Sequence, residues 1–326
     1  MTFRRLSADD VRALVSMAEA VDAVRTAFID LADSAFETPA RLVLGEGSFL
    51  VMPTHHRPTG SLMVKTLTVN FDRLPAIDGT VVLTDLQTLD QLVADAGAVT
   101  GLRTGAAAAV ATDLLARPDA SRFTMLGAGK QALDQVRGIL TVRDITHVTI
   151  VDRDERRADA MAQAVQLEFP MIMVSVDPDA DRAVASADIV SCATTSTQPL
   201  FRVESLPARV HINAIGAYLP TMRELDDAVL SSSYVVVDDI EAVLVESGEI
   251  IHAIVAGAIA ASHLTALGAV LTSKPVGHSR SVFKSVGVAV QDWAIARLLS
   301  EKLLAAPDEL LAHRKSEALT SRADAS

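Results

Sequence analysis

The chain has 326 residues, of which 50% are hydrophobic and 21% charged, and its formal net charge is −12. This length suggests two domains or one large one, and the composition allows a sizeable core and excludes a disordered chain. Because the balance is acidic and no run of basic residues occurs, nucleic acid and anionic membrane surfaces are excluded as partners.

The sequence also lacks the features of secreted, membrane-spanning and zinc-binding proteins. Cys192 is the only cysteine and lies in an apolar run, so we expect it in the core and expect no intrachain disulfide or cysteine zinc site. No HExxH or similar histidine spacing indicates another metal. The N-terminus has no apolar segment after its arginines, and the longest uncharged apolar stretch, near 253–261, is too short to span a bilayer. We therefore expect a cytoplasmic location.

The N-terminal part predicts two helices followed by a β-rich region. Ser7 and Asp10 are typical of a helix start, and an amphipathic helix follows over Ala18–Ala32. From residue 40 the apolar period shortens towards two, and a long alanine-rich helix then covers Val99–Leu115. The strands predicted between these helices are Arg41–Leu44, Ser48–Met52, Ser61–Val69 and Thr80–Thr84.

From Arg122 onwards, strands and helices alternate as in a parallel α/β sheet. We predict a last long helix over Ser281–Leu304, which returns the chain to the first region, and a polar tail that frays from Ala305. The predicted fold class is therefore α/β, with a doubly wound domain at 119–294 and a β-rich domain made of 1–118 and 295–326. The other predicted elements are helices at Arg156–Glu168 and Ala180–Ala187 and strands at Met171–Val174, Ile189–Ala193, His211–Ala214 and Tyr234–Val237.

The stretch Phe123–Asp152 carries the strongest functional signal in the chain. An apolar strand runs into Gly127-Ala128-Gly129, a helix follows, and a second strand ends in Asp152. This order is typical of the βαβ unit of a Rossmann domain, in which the glycine turn brings backbone N–H groups close to a pyrophosphate and the acid binds a ribose diol. The position of the usual third glycine holds Ala132. We predict a dinucleotide-binding site here.

Three cations of the N-terminal region lie in apolar or small-residue surroundings. Arg41 follows Pro39-Ala40, Lys65 lies within an apolar strand, and Arg103 lies in the alanine-rich helix. Buried cations need anionic partners, so these side chains either bind a substrate carboxylate or form salt bridges or solvated faces. His55 and His56 in a proline-bounded loop are candidate acid/base groups, or alternatively exposed loop residues.

The ordered motifs resemble those of the ornithine cyclodeaminase/mu-crystallin family. The resemblance runs from about Arg41 to Arg297 and combines a Leu-Arg-Thr helix with a Gly-Ala-Gly-Lys-Gln-Ala turn. The segments that carry it are Met52-Pro53, Lys65, Thr100–Ala106, Gly127–Ala132, His211–Gly216, Pro220, Arg223–Leu225, Phe283–Gly287 and Gln291-Asp292.

The resemblance implies a homodimer whose β-rich domain supplies the dimer contacts and the substrate platform. It assigns substrate binding to Arg41, Met52, Lys65, Arg103, Tyr218 and Val286, with Lys65 and Arg103 as the catalytic pair. The positions matching cofactor contacts are Thr80, Arg103, Thr104, Gly127, Gly129, Lys130, Gln131, Asp152, Arg153, Thr194, Ile215, Gly216, Ala217 and Ser285.

Two departures from the family pattern narrow the reaction. Tyr218 stands where true cyclodeaminases have an aspartate, and Leu50 stands where the family has a second acid before the Met-Pro pair. Ornithine cyclisation needs several proton transfers, for which those carboxylates supply the acid/base capacity. The sequence therefore favours an NAD(P)-dependent reductase of a small or cyclic α-imino acid, such as Δ1-pyrroline-2-carboxylate or a related ketimine, as in the family's reductases.

Two alternatives remain open: ornithine cyclodeaminase or alanine dehydrogenase activity on the same scaffold, and a non-catalytic small-ligand binder. The cofactor is expected to be NAD(H), because Asp152 repels a 2′-phosphate. NADP(H) stays possible, because Arg153, Arg156 and Arg157 follow that acid.

Overall fold

Two sheets organise the computed structural model, which describes residues 2–70, 77–273 and 278–305. The first is a mixed sheet of seven strands built from residues 3–95, with the order β1-β7-β6-β5-β4-β2 and β3 paired to β4. Its strands are β1 Phe3–Leu6, β2 Phe36–Glu37, β3 Leu42–Leu44, β4 Phe49–His56, β5 Ser61–Val69, β6 Ile77–Asp85 and β7 Gln91–Asp95. The helices that accompany it are α1 Ala8–Leu14, α2 Met17–Ala32 and α3 Ala96–Leu115.

The second sheet is entirely parallel, with the order β10-β9-β8-β11-β12-β15-β13-β14. Its strands are β8 Arg122–Leu126, β9 His147–Val151, β10 Met173–Val176, β11 Ile189–Cys192, β12 Val210–Ala214, β13 Tyr234–Val237, β14 Leu264–Ala266 and β15 Arg280–Lys284. The helices are α4 Ala132–Val142, α5 Glu155–Glu168, α6 Ala180–Val184, α7 Asp227–Ser231, α8 Ile240–Glu246, α9 Gly248–Val255, α10 Leu267–Leu271 and α11 Ala289–Ala305.

The order of the parallel strands determines where a ligand can bind. From β8 the chain adds β9 and β10 on one side, and it then returns to place β11 on the other side of β8. Such a reversal opens a crevice at the carboxyl ends of the two strands, where doubly wound folds bind nucleotides. The predicted doubly wound α/β fold is confirmed.

Helix α3 joins the two sheets. It contacts β5 and β6 of the mixed sheet as well as β12 and β15 of the parallel sheet, and nearly every side chain from Ala96 to Thr112 is buried. Small residues permit this burial on all sides. At Gly138 of α4 an added Cβ would lie 2.3 Å from the carbonyl oxygen of Gly105, so only glycine allows the two helices to approach this closely.

The predicted last helix is wrong over its first part. Residues Arg280–Lys284 form β15, a strand buried between β12 and β13, and α11 begins only at Ala289. A short, fully buried apolar run does not distinguish strand from helix by its periodicity. Gly287, with a φ of +80°, separates the two elements. Helix α11 then packs on the mixed sheet and α3, and the predicted tail after Ala305 lies outside the described residues.

The prediction of a loop around His55 and His56 is also wrong, because β4 extends to His56. Proline rarely sits inside a sheet because it cannot donate a backbone hydrogen bond. Pro53 is tolerated because the second edge of β4 is paired only at 49–51 with β3 and at 55–56 with β2. Four further strands that the pattern did not predict, β1, β2, β7 and β14, complete the sheets. No helix of the described part is long and apolar enough to cross a bilayer.

Candidate active site

The glycine turn after β8 lies in the expected crevice. Gly127 has a φ of +98°, and an added Cβ would lie 2.7 Å from the carbonyl oxygen of Ala193, which follows β11. No L-residue with a side chain fits there without moving this backbone. The crevice is lined by Gly127, Gly129, Val151, Asp152, Arg153, Arg157 and Thr194, among others. A glycine cradle between two parallel strands is the form that a pyrophosphate requires.

Asp152 directly follows β9 and is held in place by backbone groups. One carboxylate oxygen accepts a hydrogen bond from the Ala128 amide at 2.7 Å, and the other accepts one from the Asp154 amide at 2.9 Å. Asp152 lines the crevice together with Arg153 and Arg157, and its oxygens keep acceptor capacity beyond these two bonds. The geometry suits a ribose diol, which donates hydrogen bonds to a carboxylate.

A second cavity adjoins the turn and collects residues from both sheets. It is lined by Arg41, Leu50, Met52, Lys65, Arg103, Thr104, Lys130, Gln131, Ile215, Tyr218, Ser285, Val286 and Gly287, among others. The buried Gln131 Oε1 has no hydrogen-bond partner in the described ranges, so a bound group can supply one. All six predicted substrate residues are therefore brought together beside several of the predicted cofactor residues.

Thr80 is not brought to this cavity within one chain. Lys65 pairs with Val81, whereas Thr66 pairs with Thr80, so Lys65 and Thr80 point to opposite faces of the mixed sheet. The hydroxyl of Thr80 lies 3.2 Å from that of Thr66, and both residues line a separate groove with Arg5.

Lys65 is almost completely buried, with 1% of its surface exposed. Its Nζ donates hydrogen bonds to Thr100 Oγ1 at 2.6 Å and to Asp292 Oδ1 at 2.8 Å. Burial lowers the pKa of Lys65 to about 8; the Asp292 carboxylate opposes this change and the nearby Arg103 and Arg41 add to it. The ammonium is therefore a stronger acid than a surface lysine.

Arg103 of α3 is anchored by the first turn of α11. Its Nη1 donates to Gln291 Oε1 at 2.6 Å, and its Nε lies 3.4 Å from Asp292 Oδ1. An added Cβ at Gly287 would lie 2.5 Å from Nη1, so glycine leaves room for the guanidinium. Asp292, which is fully buried, thus lies between the two cations. No role of Asp292 was predicted from the sequence, and the signal for one is that an acid lies inside the apolar stretch of α11.

Arg41 reaches the cavity from the loop before β3. Its Nη2 donates to the carbonyl oxygens of Gly287 at 2.6 Å and Val286 at 3.2 Å, and it lies 2.8 Å from Glu246 Oε2. Asp238 fixes those same carbonyls, because its Oδ2 accepts hydrogen bonds from the Gly287 amide at 2.8 Å and from Ser285 Oγ at 2.7 Å.

A second buried carboxylate holds the loops that follow β11 and β12. Oε1 of Glu224 accepts hydrogen bonds from the amide of Thr194 at 2.6 Å and its hydroxyl at 2.9 Å, and Oε2 accepts one from the Gly216 amide at 2.7 Å. Burial, reinforced by the neighbouring Glu249 carboxylate, raises the pKa of Glu224 to about 7. Lys284 compensates the two acids, since its Nζ lies 2.8 Å from Glu249 Oε1 and donates to Ala217 O at 2.6 Å.

The two histidines do not line either cavity. The ring of His56 lies 4.6 Å from that of Phe36 and 4.3 Å from that of Trp293, and its Nε2 is 3.4 Å from an Asp30 oxygen. His55 contacts Glu37 at 3.8 Å. Cys192 is buried, as predicted, and the described residues contain no cluster of side chains suited to a metal ion.

A model of the ornithine cyclodeaminase/mu-crystallin family matches residues 4–306. The chain belongs to this family. It is 34% identical over 312 residues to a Δ1-pyrroline-2-carboxylate reductase of Bacillus cereus, covering 91% of this chain and 95% of that protein. These matches confirm the family resemblance.

Two solved structures are similar over nearly the whole chain. Δ1-pyrroline-2-carboxylate reductase of Thermococcus litoralis, in complex with NADH and L-proline, gives a TM-score of 0.87 at 29% identity and covers 93% of this chain and 98% of that one. An archaeal alanine dehydrogenase, a dimer with bound NAD, gives a TM-score of 0.85 at 32% identity and covers 94% and 97%.

For this family member we expect Glu224→Gln to weaken NADH binding. Glutamine offers one acceptor oxygen where the carboxylate offers two, so either the Thr194 or the Gly216 loop loses its contact. Loss of a hydrogen bond to a charged group costs about 1.5–3 kcal/mol, and we expect the dissociation constant for NADH, measured by fluorescence, to rise about tenfold.

The exposed Glu204 of the same domain provides the control, because Glu204→Gln removes the same charge away from the crevice. An unchanged NADH affinity, accompanied only by a lower melting temperature, would mean that Glu224 stabilises the fold without positioning the loops.

Proposed function

We propose that this protein is an NAD(H)-dependent reductase that converts a small or cyclic α-imino acid, such as Δ1-pyrroline-2-carboxylate or a related ketimine, to the L-amino acid. The observation that carries the proposal is the position of three cations, Arg41, Lys65 and Arg103, in a cavity adjoining the dinucleotide crevice. A cationic cavity suits an anionic substrate. Two similar proteins that are named Δ1-pyrroline-2-carboxylate reductase match nearly the full chain.

In the proposed mechanism, Arg41 and Arg103 bind the substrate carboxylate through guanidinium hydrogen bonds. NADH, held by the glycine turn and Asp152, would supply the hydride that the imine carbon accepts. Lys65 donates a hydrogen bond and then a proton to the imine nitrogen, and its lowered pKa makes this transfer easier. Asp292 holds the lysine in position through the contact of 2.8 Å.

The cavity favours reduction over cyclisation of a diamino acid. Leu50 and Tyr218, which replace the family's acids, both line it, and no carboxylate is among its described lining residues. Burial raises the pKa of Tyr218, so its phenol stays neutral at physiological pH. Loss of ammonia and ring closure need several proton transfers, and the described lining offers no carboxylate base for them.

Alanine dehydrogenase activity is the second candidate, since an enzyme of that name is similar over the whole chain. Reductive amination passes through an α-imino acid, which the same three cations would bind. Ammonia-dependent oxidation of NADH with pyruvate distinguishes it from reduction of a preformed cyclic imine.

NAD(H) is the cofactor that Asp152 favours, because its carboxylate repels a 2′-phosphate. NADP(H) remains a possible second cofactor, since Arg153 and Arg157 line the same crevice and can bind an added phosphate. We also propose a cytoplasmic location, in keeping with the single, buried cysteine.

We further propose a homodimer in which the mixed sheet, α3 and α11 form the dimerisation and substrate domain. Strand β3 carries three successive exposed apolar side chains, Leu42, Val43 and Leu44, with 56%, 55% and 53% of their surface exposed. A continuous apolar strand on a sheet edge is unfavourable in water and is typical of a contact surface. The similar archaeal enzyme is a dimer.

The reductase proposal is tested by following NADH absorbance with Δ1-pyrroline-2-carboxylate and its six-membered homologue. We expect wild type to oxidise NADH, and Lys65→Ala to reduce kcat/KM at least about a hundredfold, because the proton donor is lost. NADH binding by Lys65→Ala, measured by fluorescence, serves as the control for folding. Formation of proline and ammonia from ornithine, without imine reduction, would contradict the proposal.

The pH dependence tests the role of Lys65 separately. Because its pKa is about 8, kcat/KM falls as the pH rises through that value and the ammonium loses its proton. Asp292 favours the ammonium, so Asp292→Asn moves this fall to lower pH by on the order of 1 unit. Glu301→Gln, an exposed change on the same helix, leaves it in place. If the decrease in kcat/KM is caused by ionisation of the substrate, it will occur at the same pH in Asp292→Asn as in wild type.

The dimer is tested by light scattering after size exclusion. We expect wild type to have the mass of a dimer and Val43→Glu to have that of a monomer, because a buried charge without a partner opposes association. Leu167→Glu, at a residue of α5 with 87% exposure, is the matched control and stays dimeric. An unchanged mass for Val43→Glu would place the interface elsewhere.

A further inference from the structure

Arg41 lines the substrate cavity, yet a carboxylate of the chain itself already lies beside its guanidinium. Glu246 Oε2 is 2.8 Å from Arg41 Nη2, and the side chains of Arg41 and Glu246 are only 13% and 19% exposed. The same Nη2 donates to the carbonyls of Val286 and Gly287. Both hydrogen bonds of this guanidinium to described residues and its 2.8 Å ion-pair distance involve the same nitrogen, Nη2.

Glu246 is held weakly for a buried carboxylate. Its Oε2 is buried and lies 2.8 Å from Arg41 Nη2. The angles at this contact are not those of a hydrogen bond, and no other described residue donates a hydrogen bond to this oxygen. Burial raises the pKa of Glu246; Arg41 opposes this, and Asp238 and Asp239 add to it.

A substrate carboxylate that binds Arg41 bidentately must also contact Nη2. Arginine binds a carboxylate bidentately through two neighbouring N–H groups, either Nη1 with Nη2 or Nε with Nη2. Both arrangements include Nη2, which already has Glu246 within 2.8 Å. Two carboxylates on one nitrogen repel each other, so a ligand that binds Arg41 in this way must displace Glu246 or find it neutral.

We propose that Glu246 is an internal competitor that occupies Arg41 in the empty site and is displaced by the carboxylate of the substrate. The inference rests on the proposed function, in which Arg41 binds that carboxylate. In the empty site Glu246 keeps a buried cation compensated, which avoids the penalty of an unpaired charge. A carboxylate ligand replaces one anion by another and keeps Arg41 compensated. Glu246 therefore sets the affinity for ligands that carry a carboxylate.

The test compares the binding of two planar, unreactive ring compounds in the presence of NADH by calorimetry. Pyrrole-2-carboxylate has the anionic group of the proposed substrate, and pyrrole-2-carboxamide has a neutral group of the same shape. Glu246→Gln keeps the size of the side chain and removes its charge. We expect it to tighten binding of the carboxylate about three- to tenfold and to leave the carboxamide unchanged. The KM for Δ1-pyrroline-2-carboxylate falls by a similar factor, while the KM for NADH stays constant.

The matched control is Glu241→Gln, which removes an equal charge from an exposed position of the same helix and leaves both affinities unchanged. If Glu246→Gln binds the carboxylate as tightly as wild type or more weakly, the inference is overturned. Glu246 would then either orient Arg41 or make no contact with the ligand. An equal gain for the carboxamide would overturn it as well.

The binding comparison needs no turnover, so it decides the inference independently of the reaction. If wild type reduces no imine but the Glu246→Gln protein binds the carboxylate more tightly, the proposed reductase function is wrong and the competitor role of Glu246 stands. Melting temperatures of the three proteins verify that each is folded.

Discussion

A buried ion cluster of Lys65, Asp292 and Arg103 is the interaction on which the substrate cavity depends. Its members come from β5, α11 and α3, and a single carboxylate oxygen lies 2.8 Å from the lysine and 3.4 Å from the arginine. An uncompensated buried charge costs several kcal/mol, so the three elements are stable only in an arrangement that keeps these contacts. With two cations for one anion, the cluster has an excess positive charge.

Two further buried carboxylates act on the backbone around the cavity. Asp238 binds the turn that follows β15, and Glu224 binds the turns that follow β11 and β12. Loops at the ends of strands have no ladder to satisfy their amides, so a carboxylate can supply the missing acceptors. Turns fixed in this way are ordered before a ligand arrives, which lowers the entropy that binding would otherwise cost.

Among the residues that the structure describes, acids thus lie around the cavity and not in its lining. Glu224, Asp238 and Asp292 support the loops and the cations, whereas Leu50 and Tyr218 face the space for the substrate. This distribution of charge separates binding of a carboxylate, which needs cations, from proton abstraction, which needs a free carboxylate base. The described lining therefore offers cations for an anionic ligand and no carboxylate base.

The sequence by itself determined the features whose causes are local. The glycine turn, the alternating strands and helices and Asp152 are encoded within Phe123–Asp152, so the dinucleotide unit was predictable from neighbouring residues. The family motifs extended this to Arg41, Lys65 and Arg103. Only the tertiary structure decided that Asp292 lies between Lys65 and Arg103, that Glu246 meets Arg41, and that Arg280–Lys284 is a strand. These features depend on contacts between segments distant in sequence, and no periodicity or spacing within one segment records which distant side chain will compensate a buried charge.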